Sequence, residues 1–238
     1  MKLKKWIKRV LLTILIVFVL GVGALYIYSR NPYEALDEMD EEIARLDVSS
    51  VTTTEDMWAI EYRVSDPVKH IVFVPGGLVE PDSYSFLALS LALEGYSVTV
   101  VKPAFNLAIL MPNQAARYLS DAYDNIIIGH SLGGVVASMV ASKHDNISSV
   151  ILLGSYPIKD ISSKDVLLIT AEFDLGMDED KFNDHLSFVS DDVVIVDIEG
   201  GNHAQFGWYG PQKGDGEAEI STLVQQRLVI ETILQFIQ

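Results

Sequence analysis

No cysteine occurs among the 238 residues, which excludes a disulfide scaffold, a thiolate nucleophile, Cys-ligated zinc and iron–sulfur clusters. Covalent chemistry in this chain must use another nucleophile. Basic residues are almost as scarce over most of its length. Of 17 Lys and Arg, six (Lys2, Lys4, Lys5, Lys8, Arg9 and Arg30) lie in the first thirty residues, leaving 11 against 33 acids, a net of −22 beyond residue 30. So acidic a surface repels phosphate backbones, which argues against a nucleic-acid partner, and it disfavours docking on anionic lipid. Metal-binding patterns are also missing. Asp178, Glu179, Asp180, Asp184 and His185 cluster, yet they form neither an Asp-x-Asp-x-Asp-Gly loop nor a His-x-x-x-His pair, and they read as a solvated helix face. No metal or cofactor is expected. Internal repeats and low-complexity tracts are lacking, and 49% hydrophobic against 21% charged residues rules out bulk disorder.

Long apolar runs are lacking too, with one exception. Residues 10–28 contain Thr13 as the only conventionally polar side chain, with Tyr26 and Tyr28 at the far end. Nineteen helical residues reach roughly 28 Å, close to a hydrocarbon core. The basic flank precedes the run and acids begin at Glu34, so the positive-inside rule predicts a cytosolic amino terminus and an extracytoplasmic domain. A signal peptide cleaved near Val22-Gly23-Ala24 is the alternative. The expected organisation is a basic flank and transmembrane helix over 1–30, an acidic stalk with one surface helix over 31–54, and a single domain over 55–238.

Within that domain, short apolar runs alternate with helical segments. Strands are predicted at 57–64, 70–74, 97–101, 125–128, 149–153, 166–170 and 193–198, and helices at 82–94, 113–123, 132–143, 179–188 and 220–237. Several of these strands are near-continuous Val/Ile/Leu, as strands buried on both faces are. The predicted fold class is α/β, a three-layer sandwich around a mostly parallel sheet. Only 12 residues separate Leu153 from Val166, too few for a cap domain.

The predicted strand at 125–128 runs straight into Gly129-His130-Ser131-Leu132-Gly133-Gly134 and a small-residue helix. A sharp strand-to-helix turn needs glycines two before and two after its serine, because side chains there would clash. The turn lifts the Ser131 hydroxyl above the sheet edge and aims a helix amino terminus at developing negative charge. Among the five histidines, His203 follows the last strand in Gly200-Gly201-Asn202-His203, where glycines permit a tight excursion over that edge. His130 reads as a local packing or hydrogen-bonding residue, and His70, His144 and His185 as surface residues. The strand at 166–170 ends in Ala171-Glu172-Phe173-Asp174, which supplies two candidate acids, and Pro75-Gly76-Gly77-Leu78 follows an early strand.

These motifs, in this order, resemble the α/β-hydrolase superfamily from about His70 onward, in particular its small lidless members and the dienelactone-hydrolase-like group. The resemblance implies a serine–acid–histidine set with Ser131 as nucleophile, His203 as base and Asp174 as orienting acid, Glu172 being the fallback. It also implies an oxyanion hole from the Leu132 amide and from Gly77 or Leu78, with Pro75 where relatives carry histidine. Dienelactone hydrolases use a cysteine nucleophile, so Ser131 points to serine esterase chemistry on a small-molecule acyl substrate. Segments 105–111 and 205–216 are candidate pocket walls. Acyl transfer to another acceptor and a catalytically silent binding scaffold are the alternatives.

Overall fold

Runs of Val, Ile and Leu make the centre of an eight-stranded sheet in the computed structural model, which describes residues 2–238. Residue 1, the start of the expected basic flank, lies outside the described residues. In chain order the strands are β1 (Thr52–Glu55), β2 (Ala59–Arg63), β3 (His70–Val74), β4 (Ser97–Val101), β5 (Asn125–His130), β6 (Ile147–Leu153), β7 (Asp165–Ala171) and β8 (Val194–Ile198). Their order across the sheet is β1-β2-β4-β3-β5-β6-β7-β8. The β1/β2 and β2/β4 pairs are antiparallel and all the others parallel.

Among the described residues, six helices accompany the sheet: α1 (Lys2–Tyr28), α2 (Asp37–Ile43), α3 (Ser85–Leu93), α4 (Leu132–Ala141), α5 (Glu179–His185) and α6 (Thr222–Ile237). Alternate side chains of one strand serve opposite faces. Ile126 and Ile128 of β5 therefore join Leu87 and Leu91 of α3 and Val229 and Ile233 of α6 in one apolar layer. Ile127 joins Val136, Ala137 and Val140 of α4 in the other. This is the predicted three-layer α/β architecture, and the short β6–β7 connection carries no cap. The run of alternating leucines in α3 is explained by burial all round: Leu87, Leu89 and Leu91 are all inside.

Three elements differ from the sequence reading. β1 is an eighth strand that the pattern did not signal, because all four of its residues, Thr52 to Glu55, are exposed and it carries no alternation. The expected boundary at residue 55 falls inside this hairpin. In place of the helix expected over 113–123 there is only a 3₁₀ turn, Ala115–Tyr118. Polar side chains take the backbone bonds a helix would need: Gln114 Nε2 donates to Lys102 O (2.9 Å), and Asn125 accepts from Ser120 N (2.7 Å) while donating to Ser120 O (2.9 Å). The predicted helix at 82–94 opens as a 3₁₀ turn, Pro81–Tyr84, and Asp82 provides no side-chain cap.

The amino-terminal helix is longer than the apolar run. Residues Lys4–Tyr28 form 25 residues long and apolar enough to cross a membrane, and none of that span is buried in the protein. The segment after α1 is docked against the domain. Tyr33 N donates to Leu78 O (2.7 Å), Glu80 N donates to Tyr33 O (2.9 Å), and Leu36 N donates to Trp208 O (3.0 Å). Met39 of α2 then enters the core at 3% exposure.

Candidate active site

Ser131 sits between β5 and α4 with φ +52° and ψ −124°, a left-handed conformation that costs a non-glycine residue energy. The flanking glycines make it possible. A Cβ on Gly133 would run into the carbonyls of Val74 and Pro75, and one on Gly129 into the Gly133 carbonyl. The turn is fixed from below by Ser131 N donating to Leu153 O (2.9 Å) and Ser155 Oγ donating to Ser131 O (2.7 Å).

Beyond the ends of β7 and β8 Asp174 and His203 meet. His203 Nδ1 lies 2.6 Å from Asp174 Oδ2, and both side chains are buried. An ionised carboxylate only accepts, so Nδ1 is the donor of this bond. The other Asp174 oxygen accepts from Gly176 N and Met177 N, both at 3.1 Å. Gly154, at φ +51°, lies under the pair: a Cβ there would sit 2.9 Å from both Asp174 Oδ2 and His203 Nδ1. Because Gly154 follows Leu153, whose carbonyl holds the Ser131 amide, the pair and the serine share one corner of the sheet. No hydrogen bond joins Ser131 Oγ to His203 among the described residues. Glu172 lies apart from this pair. Its Oε2 accepts from Gly200 N (2.8 Å), which braces the loop that carries His203.

Backbone amides over the serine are sorted by their partners. Gly76 N donates to Tyr84 Oη (3.0 Å) and Leu78 N to Asn106 O (2.7 Å), which leaves the Gly77 amide unengaged among the described residues. With the Leu132 amide at the start of α4, it flanks Ser131 in a cleft of about 330 Å³ that is also lined by Tyr28, Tyr33, Leu107 and Tyr209. From the candidate walls, Leu107 of 105–111 and Tyr209, Gln212 and Lys213 of 205–216 reach this cleft.

Several contributors were invisible in the sequence reading. Tyr84 Oη, holding the Gly76 amide, also lies 2.8 Å from Nδ1 of His130, which is fully buried. Burial, then the neighbouring His203, holds the His130 pKa well below its ordinary value. The ring is therefore neutral and accepts the Tyr84 proton. Asp215 accepts from His203 N (3.2 Å) and Ala204 N (2.8 Å), and Gln225 and Asn202 exchange two bonds, at 3.0 and 2.8 Å. One signal was available: Gln225 and Gln226 interrupt the helical stripe that continues through Val229, Ile230 and Ile233, and buried amides on an apolar face need partners. Elsewhere, Asp178 caps α5 by accepting from Lys181 N and pairs with the Lys181 ammonium. His185 Nδ1 lies 2.6 Å from Lys181 O.

Comparison with known proteins agrees with this architecture. Residues 70–227, about two-thirds of the chain, match the alpha/beta hydrolase family. A dienelactone hydrolase from Anabaena variabilis superposes with a TM-score of 0.55 at 13% identity, over 79% of this chain and 100% of that one. A dienelactone hydrolase-like promiscuous phosphotriesterase from metagenomic libraries gives 0.58 at 12%, over 79% and 99%. The esterase from Pyrobaculum calidifontis gives 0.53 at 15%, over 82% and 86%. No curated protein sequence matches the chain.

Proposed function

From the premise that the chain belongs to the alpha/beta hydrolase family, we propose that it is a serine hydrolase that cleaves carboxylic esters or related acyl compounds at the outer face of a membrane. The observation that carries this reading is the buried His203–Asp174 contact of 2.6 Å, set at the same sheet corner as the strained Ser131 turn. A carboxylate-oriented imidazole beside a raised hydroxyl is the arrangement that activates a serine.

In this reading Ser131 Oγ attacks the acyl carbon while its proton passes to His203 Nε2. The Gly77 and Leu132 amides stabilise the oxyanion, and the α4 amino terminus adds its dipole. Collapse breaks the acyl–oxygen bond and His203 returns the proton to the leaving alcohol. Water then repeats the sequence on the acyl-serine and releases the acid. Asp174 stays ionised and holds the imidazole orientation. No cofactor takes part.

The outer-face assignment rests on the basic flank before α1 and the acidic chain after it. Treatment of intact cells with protease tests it: cleavage of the domain before lysis is expected, and full protection until lysis refutes the topology. For the chemistry, the full-length protein in detergent should label with a fluorophosphonate probe and turn over short-chain esters. Ser131→Ala should abolish labelling and cut turnover by about 10⁶ while the fold persists. Equal labelling of the alanine variant at another serine would overturn the assignment.

A further inference from the structure

The exposed apolar side chains of the domain are unevenly distributed. The parallel strands β3 to β7 end at the edge where Ser131 sits, and the β1–β2 turn lies at the same edge because Ala59 pairs antiparallel with Val101 at the end of β4. That turn presents Met57 at 73% exposure together with Trp58, the segment after β4 presents Ile109 and Leu110, and the loop after β7 presents Leu175 at 70%. At the opposite edge, where the parallel strands begin, the exposed apolar side chains are Val48, Val68, Val194 and Tyr123, and away from both edges Ile195 on the outer strand β8 and Val224 and Leu228 on α6 are also exposed, none of them above 45% except Val68. The connections there carry Asp66, Asp121, Asp124, Asp145 and Ser163. A monomer has no reason of its own to keep its largest apolar groups in water on one edge.

The same edge receives the anchor. Tyr28, the last residue of α1, lines the cleft that holds Ser131. Five residues later Tyr33 is bonded on both sides to the strand of chain at Leu78 and Glu80, immediately after Gly77. Five extended residues reach at most about 17 Å. The mouth of the cleft is therefore kept within that distance of the end of the membrane-crossing helix. Its volume, about 330 Å³, is at the small end for ligand sites and too small for a whole two-chain lipid.

We infer that the carboxyl edge of the sheet rests on the bilayer that holds α1, and that the substrate is the acyl ester of a membrane lipid whose chains stay largely in the outer leaflet while its ester bond enters the cleft. This deepens the proposed serine-hydrolase reading and rests on it and on α1 spanning the membrane. The net of −22 beyond residue 30 selects against anionic headgroups, so a neutral or zwitterionic ester lipid is the class that fits. The reaction is that already described, with the lipid alcohol leaving on the proton from His203.

The absence of cysteine makes the test direct. Met57→Cys, Leu110→Cys and, on the opposite edge, Ser163→Cys are each introduced into the full-length chain, labelled with a fluorophore, and reconstituted in phosphatidylcholine vesicles containing a nitroxide lipid. Quenching should be several-fold stronger at 57 and 110 than at 163; equal quenching overturns the inference, as does failure of the chain to insert. A fluorogenic diacylglycerol ester is then supplied in the same vesicles or in separate ones. Turnover should be on the order of 10² faster in the same vesicles, because anchoring raises effective concentration at a site facing the lipid. Equal rates, with soluble ester turnover and probe labelling intact, overturn the lipid substrate alone. Loss of probe labelling and soluble turnover refutes the serine-hydrolase reading, while the quenching result still decides which edge meets the bilayer.

Discussion

Two loops face each other across Ser131, and they are held in place by different means. On the oxyanion side, residues 76–78 are tied by the Leu78 N to Asn106 O bond and by Tyr84, and three non-glycine residues, Leu78, Phe105 and Asn106, have φ between +52° and +60°. On the base side, backbone bonds such as Phe173 N to Gly201 O are joined by side-chain anchors, two of them charged: Glu172 on Gly200 N, Asp215 on His203 N and Ala204 N, and Gln225 on Asn202. Strained backbone persists only where its surroundings over-determine it. A charged acceptor, by contrast, directs an amide without strain and roughly twice as strongly as a neutral one. In the proposed reaction the moving proton falls on the side held by charged side chains, and the fixed amides fall on the side held by strained backbone.

The base side should therefore be the more costly to disturb at its centre. Asp174→Asn keeps the shape but favours the wrong imidazole tautomer, and kcat should fall on the order of 10⁴. Glu172→Gln still accepts from Gly200 N, so its loss should stay within about tenfold. Ester turnover of the two purified variants, with circular dichroism to confirm folding, checks the order. A reversal would make Glu172 the orienting acid.

On the oxyanion side, Tyr84→Phe removes the acceptor of the Gly76 amide and the partner of His130 Nδ1 together. Loss of one oxyanion donor costs roughly 10² to 10³, and a misplaced donor costs less, so kcat should fall by about 10 to 10² with little change in KM. Leaving a buried amide unpaired should also lower stability by about 1–3 kcal/mol. Asp215→Asn keeps one acceptor oxygen but turns the other into an NH2 donor, so either His203 N or Ala204 N loses its acceptor and both lose the charge, and a kcat loss of about threefold to tenfold is expected. A larger loss from Asp215→Asn than from Tyr84→Phe, measured on one ester, would break the contrast between the sides.

Legibility in the sequence divides along the same line. Backbone constraints leave glycines behind, and Gly129, Gly133 and the Gly76-Gly77 pair marked the turn and the loop in advance. Buried strands leave runs of Val and Ile, which is why β3 to β7 were legible, and β8 kept such a run although most of it is exposed. β1 was not, since an exposed Thr-Thr-Thr-Glu edge has no face to reveal. The 113–123 segment has helical composition, yet Gln114 binds the carbonyls of Trp58 and Lys102 and Asn125 that of Asn146, an outcome that local propensity does not encode. Tyr84 and Asp215 were hidden for a related reason. A tyrosine in a helical run and an aspartate between two glycines look ordinary until the fold brings them to His130 and His203. The docking of 31–36 beside the cleft, through Tyr33 at Val79 and Ala35 at Tyr209, was hidden because the acidic stretch that follows made the whole of 31–54 read as a stalk.

The two sides touch through their histidines, and this contact yields the smallest expected effect. The rings of His130 and His203 are 4.6 Å apart at their centroids, with Tyr84 on the far side of His130. Burial is the main reason that His130 is held well below its ordinary pKa of 6.5, and burial lowers His70 as well, opposed by Glu61. In the unfolded chain both titrate near 6.5. Between the depressed folded values and 6.5 the unfolded chain binds more protons, so stability rises with pH there and is lost as pH falls below 6.5. The loss amounts to about 1.4 kcal/mol per pH unit for each proton taken up. Carboxylates with ordinary values titrate nearer 4, so from pH 6.5 to about 5 the histidines set the slope. Urea midpoints at pH 7.5, 6.5 and 5.5 should be level over the first step and fall over the second. In the folded protein the His130 ring resonance should stay flat over the whole range by NMR. A His130 titration centred near 6.5 would mean that the ring carries a proton beside His203, and the division between a charged base side and a neutral oxyanion side would fail at the point where they meet.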